Sequence, residues 1–285
     1  MSGVNGMFKG FYTAASGMLT QQRRTEMLTN NMSNANTPGY KEDQSSIRAF
    51  PEMLLSSIDG AKVPVDNSLR LSQNRTVGAL NTGVYMQETR PAFGQGDLKV
   101  TNNQTDVAIQ EGSMPTDPDT NQKGTVMFAV GTPNGIRYTR NGNFTLDGQG
   151  YLTTPSGMYV LDDQQQRIQL KSDDFIIHAD GTIQEGNESK GRMGMHFSNT
   201  PSLQLIKEGD GLYRTNETTA LPSAYVSENV QFALTQGSIE QSNVDASKTM
   251  TNMLTAYRSF EANQKILQAY DQSMQKVANE VGRIG

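Results

Sequence analysis

The sequence predicts an α+β protein: paired, coiled-coil-like N- and C-terminal helices around a central, mainly antiparallel all-β domain. Three observations predict it. Residues 8–34 lack proline and place apolar side chains at helical spacing. Residues 253–284 carry an apolar heptad seam. Between them, from about 85 to 234, short β-type runs are punctuated by Gly, Asn and Asp.

The N-terminal stripe consists of Phe8, Phe11, Tyr12, Ala15, Met18, Leu19, Leu28 and Met32. Gly10 and Gly17 each lower helix propensity by ~1 kcal/mol, and on a helix they permit close approach by a neighbour. The stripe runs into "NNMSNANTPGYK", residues 30–41. Amide side chains compete for backbone hydrogen bonds and suit a helix end, so Asn30, Asn31, Asn34 and Asn36 stop the helix. Pro38 and Gly39 fit positions i+1 and i+2 of a type II turn, where Gly supplies the positive φ.

Residues 41–85 read as a connector that allows a short helix around 52–58. In the β domain, 86–235, Asn141-Gly142 and Asp147-Gly148 are hairpin signals between the runs 136–139, 143–146 and 158–161. Residues 111–124, "EGSMPTDPDTNQKG", read as a polar loop. The last segment, 236–285, holds the strongest periodic signal. Met253, Ala256, Phe260, Asn263, Leu267, Tyr270, Met274, Val277, Val281 and Ile284 follow steps of three and four. Ser242 or Asn243 suits the N-cap, with Asp245 in the first turn. A lone helix with such a seam needs a partner, and the N-terminal helix, 7–40 with its turn, is the one available.

Composition narrows the function. The 285 residues suffice for two or three modest domains. Only 35% of them are hydrophobic, and the mean hydropathy is -0.58. The net charge of -5 is spread without a basic block, which excludes nucleic acid as a partner. Zero cysteines exclude disulfides, thiolate metal sites and cysteine nucleophiles, and are compatible with export unfolded. No apolar run approaches the roughly 20 residues that span a bilayer. The N-terminus lacks the charge and apolar core of a secretory signal, and Met7 is read as the functional start.

Chemistry is sparse. His178 and His196 have no ligand-type spacing. "DPDTNQKG" has Gln122 and Phe128 where a calcium loop needs Gly and Glu. No phosphate loop or nucleophile elbow is present. Acid pairs such as Asp162-Asp163 sit at turn signals and read as solvated surface. No catalytic residue, cofactor or metal site is expected. Of the fifteen methionines, those on the terminal helices fall largely on the apolar stripes and read as packing residues.

Three segments in order then resemble one family, the bacterial flagellar axial proteins of the basal-body rod and hook. "GFYTAASGMLTQQRRTEMLTNNMSNANTPGYK" resembles the rod-protein signature. "DVAIQ" and "YTRNGNFTLDGQGYLTTPSG" resemble the shared β segments, and "LTQGSIEQSNVDASKTMTNMLTAYRSFEANQKILQAYD" the C-terminal signature. The form is most like the distal-rod type or a Gram-positive hook–basal-body relative. One departure stands out: "EGSMPTDPDTNQKGTVMFAV" intervenes where the family places Gly and two aromatics, and only Phe128 answers to that pair.

The resemblance implies a structural subunit of the rod or rod–hook junction, with no catalysis, that polymerises helically, transmits torque and lines the export channel. Its partners would be copies of itself, other rod and hook subunits and the flagellar type III export apparatus, without membrane insertion. Its place would be the basal body, outside the cytoplasmic membrane. Both terminal helices would form the inner layer through Met253, Phe260, Leu267, Tyr270, Met274, Val277 and Val281. The asparagines would then either cap the helix and shape the turn, or also satisfy groups of neighbouring subunits. The alternative function is an extracellular β-domain enzyme or binding protein acting on cell-wall glycan, with a helical oligomerisation stalk.

Overall fold

The computed structural model describes the backbone of residues 2–62, 70–118, 121–172, 174–216 and 219–282. Side chains are described for all of these except 2–8, 53–62, 70–80 and 281–282. Phe8, Val281, Ile284 and Asp119 of the readings above therefore lie outside the described side chains. The chain divides into two units: Met1–Thr29 with Ser45–Thr89 and Met250–Gly285, and Asn30–Gln44 with Arg90–Thr249.

The first unit contains most of the two long helices, Ser2–Ser33 and Ala246–Gly282. The N-terminal helix buries Ala14, Gly17, Thr20 and Leu28, a face of small and hydroxyl residues as much as of large ones. Phe11, Ala15 and Met18 are half-buried, whereas Tyr12 and Leu19 stand 65% and 53% exposed. Three hydroxyls on this helix meet the chain at 82–84. Thr13 Oγ1 donates to Thr82 O (3.3 Å) and Thr20 Oγ1 to Val84 O (3.1 Å), while Ser16 Oγ accepts from Val84 N (3.3 Å). Gly83 is required here, because a Cβ would lie 2.2 Å from Ser16 Oγ.

Strand Ile47–Ala49 pairs antiparallel with Val84–Met86. Where the sequence allowed a short helix around 52–58, the chain forms a strand, Met53–Lys62, antiparallel to Arg70–Leu80. Ladder pairs from Met53 opposite Leu80 to Lys62 opposite Arg70 outweigh the weak local apolar pattern, as cross-strand pairing does for short apolar runs.

The second unit is built on an eight-stranded antiparallel sheet. Its central strand, Thr125–Thr132, is flanked by Gly135–Thr139, Tyr159–Val160 and Met195–Ser198. Buried on both faces, it alternates between two cores. Val126, Phe128 and Val130 enter the larger cluster with Val107, Ile109 and Phe144, and Met127 enters the smaller with Tyr138, Leu205 and Tyr213.

Asp147-Gly148 does open a hairpin loop, between Thr145–Leu146 and Leu152–Thr153. Asn141-Gly142 does not. Gly142 O accepts from Val107 N, and an added Cβ would sit 1.7 Å from Val107 O, so this dipeptide is a close crossing of strands. The hairpin of that region turns at Pro133-Asn134, between the paired residues Thr132 and Gly135.

Candidate functional site

The asparagine-rich stretch lies where the N-terminal helix enters the second unit. Asn31 is fully buried. Its Oδ1 accepts from Asp43 N and its Nδ2 donates to Asp43 O, both at 2.9 Å, so one amide replaces a strand partner. Tyr40 Oη lies 2.8 Å from Asn30 Oδ1 and 3.1 Å from Asn31 Oδ1. Asn34 donates to Asn30 O and accepts from Thr37 Oγ1. Asn36 is exposed and forms no hydrogen bond among the described residues.

The turn has the geometry its residues demand. Pro38 is half-buried, Gly39 has φ +68°, and Tyr40 N donates to Thr37 O at 3.3 Å. Gly39 is also a contact position: an added Cβ would lie 2.5 Å from the Arg140 carbonyl carbon, and Gly39 N donates to Glu240 O. Three of the four asparagines are thus satisfied within the chain.

Behind the turn lies a buried ionic cluster that sequence reasoning missed. Lys41 Nζ is 2.6 Å from Glu240 Oε1 and 2.8 Å from Gly94 O. Glu240 Oε2 accepts from Arg140 Nε, and Gly96 N donates to Glu240 Oε1. Arg140 Nη1 reaches Glu111 Oε1 at 2.6 Å and Val126 O at 2.5 Å. Lys41, Arg140 and Glu240 are each about 1% exposed or less. Burial pushes the Glu240 carboxyl up, but Arg140 and Lys41 outweigh it and hold the group below its ordinary value. Burial and the charge of Arg140 pull Lys41 down, so its ammonium depends on Glu240.

At the mouth of the cluster, Lys207 Nζ pairs with Asp43 at 3.0 Å and lies 3.8 Å from the Tyr40 ring centroid. Burial, then Asp43, raises the Tyr40 pKa, so the phenol stays neutral. The available signal was placement: Lys41 and Arg140 end or adjoin turn motifs, and Glu240 sits in a strand just before the C-terminal helix.

The entry to that helix corrects the capping expectation. Asp245 is the N-cap, its Oδ1 accepting from Lys248 N at 3.0 Å. A carboxylate both satisfies the N–H and complements the helix dipole. Asn243 instead ties the approach to the second unit, accepting from Glu42 N and donating to Ala92 O and Gly94 O. Ser242 Oγ accepts from Val244 N.

Along the C-terminal helix, Ala256 is buried, and Met253, Phe260, Asn263, Leu267, Tyr270 and Met274 are half-buried. Val277 is 51% exposed. Added Cβ atoms at Gly10 and Gly17 would meet Tyr270 Oη at 2.0 Å and Asn263 Nδ2 at 3.0 Å. Thr29 Oγ1 contacts Met253 Sδ at 3.6 Å. The contacts run in antiparallel order, and the glycines give room for the larger side chains opposite. A second set, Met250, Leu254, Tyr257 and Ile266, is 46–53% exposed.

The two histidines have ordinary roles: His178 Nε2 bonds Gln184 Oε1, and buried His196 Nδ1 bonds Leu221 O.

Two long terminal helices, with one antiparallel β unit between them in the chain, are the build of a structural subunit. Comparison with known proteins makes this specific. Residues 11–41 match the profile described as "Flagella basal body rod protein". Residues 123–185 match "Flagellar hook protein FlgE/F/G D1 domain", and 235–280 match "Flagellar basal body rod FlgEFG protein C-terminal".

The chain is 45% identical to the flagellar hook-basal body complex protein FlhO of Bacillus subtilis, over 98% of this chain and 100% of that protein. It is 29% identical to the B. subtilis flagellar basal-body rod protein FlgG, covering 96% and 99%. With the FlgF of Caulobacter vibrioides it shares 27% identity, covering 98% and 100%. The chain belongs to the flagellar basal-body rod and hook family. It is a structural protein of the flagellar basal body and not an enzyme.

Proposed function

We propose that this chain polymerises helically in the rod or at its junction with the hook, as a distal-rod-type subunit. Its terminal helices pair as a coiled-coil-like inner layer lining the export channel, and subunit contacts carry torque. It reaches its site through the flagellar type III export apparatus.

The observation that carries this reading is the leftover apolar surface on the two helices. One face of the C-terminal helix meets Gly10, Gly17 and Thr29. Tyr12 and Leu19 on one helix and Met250, Leu254, Tyr257 and Ile266 on the other stay in solvent. Apolar side chains exposed at this density mark an interaction surface, and further copies supply the cover in a helical polymer.

The test is deletion of the gene followed by electron microscopy of hook–basal bodies. Loss of the rod–hook junction and of swimming, both restored by the wild-type chain, is the expected result. Complete structures in the deletion strain would refute the reading.

A further inference from the structure

We propose that the turn at 226–229 of one copy seats in a cavity of the second unit of the next copy; this rests on the polymerising-subunit reading above. Val226 is the most exposed large hydrophobic residue among those described, at 79%. It stands on a turn that is firmly held. Tyr225 Oη donates to Met193 O at 2.8 Å, the Arg192 guanidinium lies 3.4 Å from the Tyr225 ring centroid, and Ser227 Oγ donates to Ser223 O. Rigidity at the base lowers the ordering cost of presenting the tip. Beside Val226, exposed Glu228 has no charged partner among the described residues.

The cavity has the complementary character. Its volume is about 530 Å³, and Ala92, Phe93, Met114 and Pro201 supply its apolar walls. Phe93 is fixed by the Tyr213 ring, 5.3 Å away between centroids. Lys123 stands exposed at the rim without an ion-pair partner among the described residues, with Arg90 also in the lining. The one carboxylate of the lining, Glu111, is committed to Arg140, Thr125 and Val126 N.

Such a site accepts a short apolar tip carrying a negative charge. The 226–229 turn has both features, and it belongs to the same chain, so the occupant is a second copy. Tip and cavity are different patches, which makes the contact heterologous, the type that propagates. Glu111, Gly112, Met114, Gln122 and Lys123 supply one wall.

The natural absence of cysteine permits a clean test. Val226→Cys and Met114→Cys are placed on separately tagged copies, co-expressed in cells lacking the native gene, and basal bodies are oxidised. A mixed-tag disulfide dimer is expected. Glu228→Lys on the first copy should cut its yield about fivefold or more, and Lys123→Glu on the second should restore it, because like charges at an interface are strongly disfavoured.

If Met114→Cys cells do not swim, Lys123→Cys replaces that position. Swimming cells with no mixed dimer would overturn the proposal. So would a disulfide formed inside one copy carrying both cysteines, or capture of a different rod protein by either. These outcomes are separate from failure of the rod-subunit reading, in which cells without the chain would still build complete hook–basal bodies.

Discussion

Glu240→Gln tests whether the buried cluster holds the second unit together. The substitution preserves shape and an acceptor for Gly96 N, and it removes the charge that Lys41 and Arg140 face at hydrogen-bond distance. Arg140 keeps Glu111, whereas Lys41 keeps only neutral acceptors, the amide oxygen it shares with Gly96 N and the Gly94 carbonyl. Leaving a buried charge without its partner costs about 3–5 kcal/mol. For a unit of this size that lowers Tm by roughly 6–20 °C.

The pH dependence gives a second, independent readout. Because the folded pKa of Glu240 is depressed, its stabilisation is fully present above the ordinary glutamate value of 4.5. It is lost as pH falls through the lower folded value. The gap between wild type and Glu240→Gln should therefore be wide at pH 7 and narrow progressively below the ordinary glutamate pKa. Urea unfolding of the full chain at steps down through that range measures it. A shift of under about 2 °C at pH 7, well below the expected range, would refute the assignment. So would a gap that stays constant into acid.

Other expectations follow from the same geometry. Gly39→Ala combines a positive φ with a clash against the Arg140 backbone and should cost at least about 1–3 kcal/mol in urea unfolding. Asn31→Leu strands Asp43 N and O and should cost about 1–3 kcal/mol, with hydrogen exchange at Asp43 accelerated. Leu267→Asp should leave the unfolding of the second unit within a few degrees of wild type yet abolish swimming, since Leu267 belongs to the other unit.

Much of this fold was legible because local rules and tertiary context agree. The heptad steps from Met253 to Met274 coincide with the less exposed side of the helix, since a 3.5-residue pattern admits no other regular element. Pro38 and Gly39 permit few turns. What escaped depended on contacts distant in sequence. Lys41 and Glu240 lie 199 residues apart, and nothing local distinguishes them from solvated charges. Thr13, Ser16 and Thr20 meet the chain at 82–84, a role that nothing in their local sequence signals. The strand at 53–62 was hidden because its partner lies beyond a connector. At Asn141-Gly142 the hairpin signal misled, because glycine served a close crossing instead of a reversal.

If the terminal helices build this chain into the flagellar axis, removing one of them must stop assembly. Electron microscopy of hook–basal bodies tests it most directly, in a deletion strain carrying either the full chain or a chain cut after Ser247. Continuous rod–hook structures and swimming are expected with the full chain. With the cut chain neither is expected, although its β unit should still fold and be exported. Complete hook–basal bodies containing the cut chain would contradict it.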